Sequence, residues 1–119
     1  MDISQRLAEL KRLPGFTEHV GMMLVHNGVV RGWSRQDGRT VARLRVQPDY
    51  DRIEAIRKEY EQRPGIFKVL IEARGGEFAP GDDLLFIVVA GDVRENVAPA
   101  LSEVLHRVKE EAMAKEEMS

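Results

Sequence analysis

Pro80-Gly81-Asp82-Asp83-Leu84-Leu85-Phe86-Ile87-Val88-Val89-Ala90-Gly91-Asp92 is the stretch from which the fold is read. A Pro-Gly-Asp-Asp turn opens onto seven consecutive apolar residues, Leu84–Ala90. A run of that length, apolar at odd and even positions alike, reads as a central strand covered on both faces. Gly91-Asp92 then leads into a long amphipathic helix. Asp92 is the expected N-cap, with Glu95 three residues later. The helix stripe is Val93, Val97, Leu101, Val104, Leu105, Val108 and Ala112. Pro99 lies inside it, where it removes a helical hydrogen bond and predicts a kink.

Outward from that unit, residues 2–12 read as a short helix with Ile3, Leu7 and Leu10 on one side, stopped by Pro14-Gly15. Residues 20–31 read as a strand, bulged at Asn27-Gly28 because apolar residues flank both sides. Ser34 to Arg39 is a polar loop whose Asp37-Gly38 signals a hairpin to a strand from Thr40 to Val46. A helix follows from about Tyr50 to Gln62, with Asp51 and Glu54 at capping-box spacing and Ile53, Ile56 and Tyr60 buried. Ile66–Ala73 is a further strand, and Gly75-Gly76 a loop. The tail from residue 112, ending Lys115-Glu116-Glu117-Met118-Ser119, is charged and expected to fray. The resulting order, α-β-β-α-β-β-α, predicts an α+β domain over residues 1–119: a mixed or antiparallel sheet with helices on one face.

Composition narrows the function. The chain has 119 residues, 43% apolar and 32% charged, enough for one core. A formal charge of −2 gives no global reason to bind nucleic acid or an anionic membrane, so any anion site is local. No apolar run approaches the roughly 20 residues of a membrane span. With no apolar leader at its start, the chain is expected in the cytoplasm. It has no cysteine, which excludes a disulfide framework, a thiolate metal site and a persulfide carrier. His19, His26 and His106 are scattered, so no metal site is expected.

The chemistry-bearing candidates are cations. At about 100° per residue, Arg94 falls inside the stripe of the last helix and Lys109 just past its edge. The ordinary fate of such residues is an apolar stem on the surface and a head in water. Arg94, however, opposes the helix macrodipole, which favours a bound anion there. The two are 15 residues apart, about 22 Å along one helix, so one small anion touches both only across a two-fold dimer. Arg31 closes the Asn27-Gly28-Val29-Val30-Arg31 segment, where glycine allows a close backbone approach. Alone it reads as a surface arginine. With the other cations and exposed backbone N–H groups it would cradle a phosphate. Arg35, Arg39, Arg43 and Arg45 form a basic patch, ordinarily a solvated face.

Asn27-Gly28-Val29-Val30-Arg31 resembles the Gly-x-Val-Arg segment of the large, catalytic subunit of molybdopterin synthase. Arg94 and Lys109 resemble that subunit's His-Arg…Leu-Lys helix, with the same spacing. The resemblance covers roughly residues 20–112. It implies an α/β-hammerhead-like fold and a homodimer at the core of a heterotetramer. Two ubiquitin-like small subunits would each insert a Gly-Gly tail ending in a thiocarboxylate. Its sulfur would pass to cyclic pyranopterin monophosphate to build molybdopterin, with no cofactor required. By the same resemblance Arg31 and Arg94, the latter from the neighbouring subunit, bind the substrate phosphate. Lys109 acts at the small-subunit tail, since lysine attacks or polarises an acyl group once its surroundings favour the neutral amine.

The sequence departs from that pattern twice. Val93 replaces the histidine before the helix arginine, and Met113-Ala114-Lys115-Glu116 replaces Pro-x-Trp-Lys. The second lysine's position is thus Glu116, with Lys115 one residue earlier, turned by about 100° if the helix continues. Lys115 is the candidate for that role. Both departures favour an alternative, a non-catalytic homologue that binds a ubiquitin-like tail or a phosphorylated ligand. A plain dimerisation domain is a third reading, in which every cation is surface.

Overall fold

The computed structural model describes residues 2–119. The elements are α1 (Ile3–Lys11), α2 (Phe16–His19), β1 (Met22–Val29), β2 (Arg43–Pro48), α3 (Tyr50–Glu61), β3 (Ile66–Ala73), β4 (Gly76–Phe78), β5 (Asp83–Gly91), α4 (Arg94–Ala112) and β6 (Met113–Met118). They form two antiparallel three-stranded sheets, β1-β5-β3 and β4-β2-β6.

β5 is the centre of the first sheet and is buried from Leu84 to Ala90. Its side chains alternate between two cores, as the pleat requires. Leu85, Ile87 and Val89 join the main core with Ile53, Ile56 and Tyr60 of α3 and Val97, Val104 and Val108 of α4. Phe86 and Val88 face the other way, against Leu10, with Ile3, Leu7 and Phe16 around them. The helices therefore cover both faces of this sheet, not one as the element order predicted. α1 and α2 are short, but they cover Phe86 and Val88, whose full burial is worth roughly 2 kcal/mol each.

The bulge expected near Gly28 is present: the β1–β5 register shifts between Gly28 and Val29. The hairpin expected at 34–39 is not a strand pair of the sheet. β1 pairs with β5 and β2 with β4 and β6, and only a Trp33–Thr40 bridge spans the loop. β2 accordingly starts at Arg43 and runs on to Pro48. Gly76 opens the short strand β4, where a loop was expected.

Both long helices are capped away from the sequence expectation, α3 two residues earlier and α4 one residue later. In α3 the cap is Asp49, whose carboxylate accepts the Arg52 N–H at 3.0 Å, so Asp51 lies in the first turn. In α4 the N-cap position is Val93, and Asp92 Oδ1 accepts from Val93 N at 2.6 Å and from Asn96 Nδ2 at 2.9 Å. Gly91, just before the cap, is tightly seated. An added Cβ there would meet the Gly65 carbonyl oxygen and would lie 2.7 Å from Val97 Cγ2. The same Gly65 carbonyl accepts Asp92 N at 2.9 Å. α4 then runs as one helix through Pro99.

The tail is not frayed. Met113–Met118 pairs along the whole of β2, from Pro48–Met113 to Arg43–Met118. No loop separates α4 from β6, and Asp49 N holds the Ala112 carbonyl at 2.8 Å at the junction. The charged composition that reads as a loose end is that of a half-exposed strand. Met113 is buried beside Leu44 and Val46 of β2, while Glu116 pairs with Arg45 at 3.6 Å on the outer face.

Candidate active site

A cleft of about 810 Å³ opens where the end of β1, the loop after it, the start of β5, the last turn of α4 and β6 converge. Gly28, Val29, Val30 and Arg31 form one wall, Arg35, Gln36 and Val41 the loop side, and Leu84 and Leu85 the apolar floor. Lys109 and Glu110 enter from α4, Lys115 and Glu117 from β6. Each side chain is there for a local reason. The bulge at Gly28–Val29 re-aims the end of β1. Val30 is then pinned by its N–H to the Asp82 carbonyl and by Gly81 N to its own carbonyl, both at 2.9 Å. Lys109 lies in the last turn of α4, where a cation suits the helix dipole.

The register of β6 decides between Lys115 and Glu116. On a strand, neighbours point to opposite faces. Lys115 and Glu117 lie opposite Val46 and Leu44, the inward-facing residues of β2. Glu116 lies opposite Arg45 and pairs with it away from the cleft. The helical frame assumed from sequence is thus replaced by a two-residue period, and it is Lys115 that faces the cleft with Lys109.

The cleft's cations are unneutralised, which sets its two arginines apart from most others in the chain. Among the described residues, none of Arg31, Arg35, Lys109 and Lys115 has a carboxylate within 4 Å, while most other arginines do. Arg31 instead lies over the exposed Trp33 ring, 5.0 Å from its centroid. Partial enclosure lowers the pKa of Lys115, and the charges of Lys109 and Arg31 lower it further, against an opposing pull from Glu117. His26 on β1 is held below the usual histidine range, first by burial and then by Lys109 and Lys115. Its Nε2 is buried and lacks a hydrogen-bond partner. Four cations around an apolar floor can take an anionic, partly aromatic ligand, with the amine of Lys115, whose pKa is lowered, beside it.

Arg94 is not brought to this cleft by its own subunit. It is 84% exposed at the opposite end of α4, with Glu95 at 3.4 Å, and not inside the apolar stripe as the helical angles predicted. Val93 beside it is 48% exposed, so the stripe begins at Val97 and includes Ala100. Sequence reasoning missed Glu117, Gln36 and Ser34. Nothing local marks Glu117, whose strand is set by pairing with β2, and nothing in a polar loop singles out Ser34.

The sequence matches the model of the MoaE protein family over residues 1–111. The chain belongs to the MoaE family. Solved structures agree with the match. The MoaE protein of Burkholderia ambifaria is similar with a TM-score of 0.78 at 25% identity, covering 100% of this chain and 78% of that one. The molybdopterin synthase of Staphylococcus aureus gives 0.79 at 21% identity, covering 99% and 85%. A complex of subunits 1 and 2 of the molybdopterin-converting factor of Helicobacter pylori shares the fold, with 0.70 at 15% identity over 98% and 78%. No curated protein matches the sequence as a relative. MoaE proteins are the large, catalytic subunit of molybdopterin synthase, and the work of this family is molybdenum cofactor biosynthesis.

Proposed function

We propose that the cleft is the sulfur-transfer site of this MoaE protein. A small ubiquitin-like partner would insert a Gly-Gly tail ending in a thiocarboxylate. Its sulfur would pass to cyclic pyranopterin monophosphate, in the cytoplasm. Arg31 binds the substrate phosphate. Lys109 meets the acyl end of the tail, with Lys115 beside it as the second amine. The observation that carries this reading is the convergence of Arg31, Lys109 and Lys115 on one cleft, none with a carboxylate partner. The Helicobacter pylori complex of two subunits supports a small-subunit partner.

Arg94 enters the proposal from a second copy. Its exposed position beside Val93 leaves it free to reach the cleft of a two-fold mate. Subunit mixing tests this. Lys109→Ala and Arg94→Ala proteins would each be inactive alone. In a statistical mixture, half the dimers are mixed and each retains one complete site, so about a quarter of wild-type activity returns. The assay follows molybdopterin formation from thiocarboxylated small subunit and pterin. Near-normal product from Lys109→Ala alone removes Lys109 from the chemistry, and no recovery on mixing removes Arg94 from the shared site.

Val93 in place of a histidine is the observation that favours the alternative, a homologue that binds the tail or a phosphorylated ligand without turnover. Stable binding of both ligands with no dithiolene product supports that alternative.

A further inference from the structure

Ser34 is the buried polar side chain of the described residues, 7% exposed, in a loop that is otherwise solvated. Its hydroxyl donates to Glu117 Oε1 at 2.8 Å, joining positions 83 residues apart, and accepts from Gln36 N at 3.3 Å. Its backbone closes the loop on itself, with Ser34 N bonded to the Arg39 carbonyl and Gly38 N to the Ser34 carbonyl, both at 2.8 Å. The backbone that carries the hydroxyl is thus held by the loop's own bonds.

Glu117 has an evident alternative partner. It lies two residues from Lys115 on the same face of β6, and both line the cleft. A carboxylate and an ammonium so placed on one strand face are neighbours whose long side chains can reach each other. Here no Lys115–Glu117 ion pair forms within 4 Å, and Glu117 is turned to the loop instead. We propose that Ser34 is a positioning residue that holds the Glu117 carboxylate on the 34–39 loop and so keeps Lys115 without a counterion.

The groups that face Lys115 are Arg31 from the end of β1, Arg35 from the loop, Lys109 and Glu110 from α4, and Glu117 from its own strand, with His26 nearby on β1. Arg31 and Lys109 disfavour the lysine's charge, and Glu117 favours it. Burial acts first to disfavour the charge, and the distance of Glu117 limits the one pull that opposes it. This inference rests on Lys115 working in the cleft, but its test does not depend on turnover.

The test is the titration of Lys115, read residue by residue by mass spectrometry as the pH dependence of amine labelling. In Ser34→Ala the freed carboxylate swings to Lys115, and the labelling midpoint rises by about one pH unit, a roughly tenfold slower rate at fixed pH below it. In Glu117→Gln the midpoint falls below that of the wild type. Ser34→Ala/Glu117→Gln then titrates like Glu117→Gln alone, because no carboxylate is left to move. A Ser34→Ala midpoint equal to the wild type overturns the inference. So does an equal rise in the Glu117→Gln background, which would assign the effect to loop packing. If the midpoint rises as expected while molybdopterin formation is unchanged, the positioning role stands and the assignment of Lys115 to the chemistry fails.

Discussion

Replacing Gly91 with alanine tests whether the β5–α4 junction is the frame that sets the cleft. The added methyl would collide with the Gly65 carbonyl oxygen and lie 2.7 Å from Val97 Cγ2. Ordinary contacts begin near 3.4 Å, so strand and helix must part by roughly 0.7 Å or more. The obstacle is no flexible side-chain end. The carbonyl is backbone, already held by Asp92 N at 2.9 Å, and Val97 is fully buried. Overpacking of this kind costs about 1–3 kcal/mol. Gly91→Ala is therefore expected to lower the urea midpoint at unchanged m-value by the equivalent of about 2 kcal/mol. α4 also carries Lys109, and a misplacement near 1 Å can cost about a hundredfold in rate. Sulfur transfer by the folded variant should fall by about ten- to a hundredfold. A stability change below about 0.5 kcal/mol with normal turnover would refute the claim that this junction is close-packed and positions the lysine.

Three further outcomes are expected. The Glu111 carboxyl is held down to about 2 by Arg107 and then Arg52, so its pairing stabilises the fold above the ordinary carboxylate range near 4.5. That contribution is lost as pH falls from 4.5 through 2, and Glu111→Gln should flatten the acid limb of a stability–pH curve. His26 is held below its ordinary value, so it stabilises the fold least at low pH, and its contribution is lost as pH falls below about 6.5. His26→Phe, which removes a buried unpartnered nitrogen, should raise the thermal midpoint and remove that dependence. Arg31→Ala should weaken binding of a phosphorylated pterin by about tenfold or more, as loss of a charged hydrogen-bond donor does, while circular dichroism stays unchanged because Arg31 is exposed. Equal affinity in calorimetry would remove Arg31 from the phosphate site.

The core of the fold is legible in the sequence because burial imposes periodicity. Leu84–Ala90 declares a strand covered twice, Ile66–Ala73 has the bounds its apolar residues suggest, and Ile53, Ile56 and Tyr60 are the buried face of α3 that their spacing predicts. The errors fall where the deciding contact is distant in sequence. Asp92 has the composition of a cap, but its N–H is bonded to the Gly65 carbonyl and the helix starts one residue later. Met113–Met118 has the composition of a loose tail, and only β2, some 70 residues earlier, makes it a strand. The site divides in the same way. Spacing and resemblance single out Arg31, Lys109 and Lys115, but their meeting in one cleft depends on β6. An ideal helical wheel places Arg94 inward, whereas Val93, Arg94 and Glu95 are all exposed and the buried face of α4 begins at Val97.

The direct join of Ala112 to Met113 makes the α4–β6 junction a phase switch. Along α4 a one-residue change rotates each later side chain by about 100°, whereas along β6 it inverts the strand. With no slack between them, a single inserted residue would exchange the parity of every β6 position, turning one set of side chains from the cleft to solvent and the other set inward. The offset between Lys115 and the position expected for the second lysine then has a geometric meaning. The chain can carry that amine one residue early because the length of the junction, and not the residue number, determines which side chains the cleft receives.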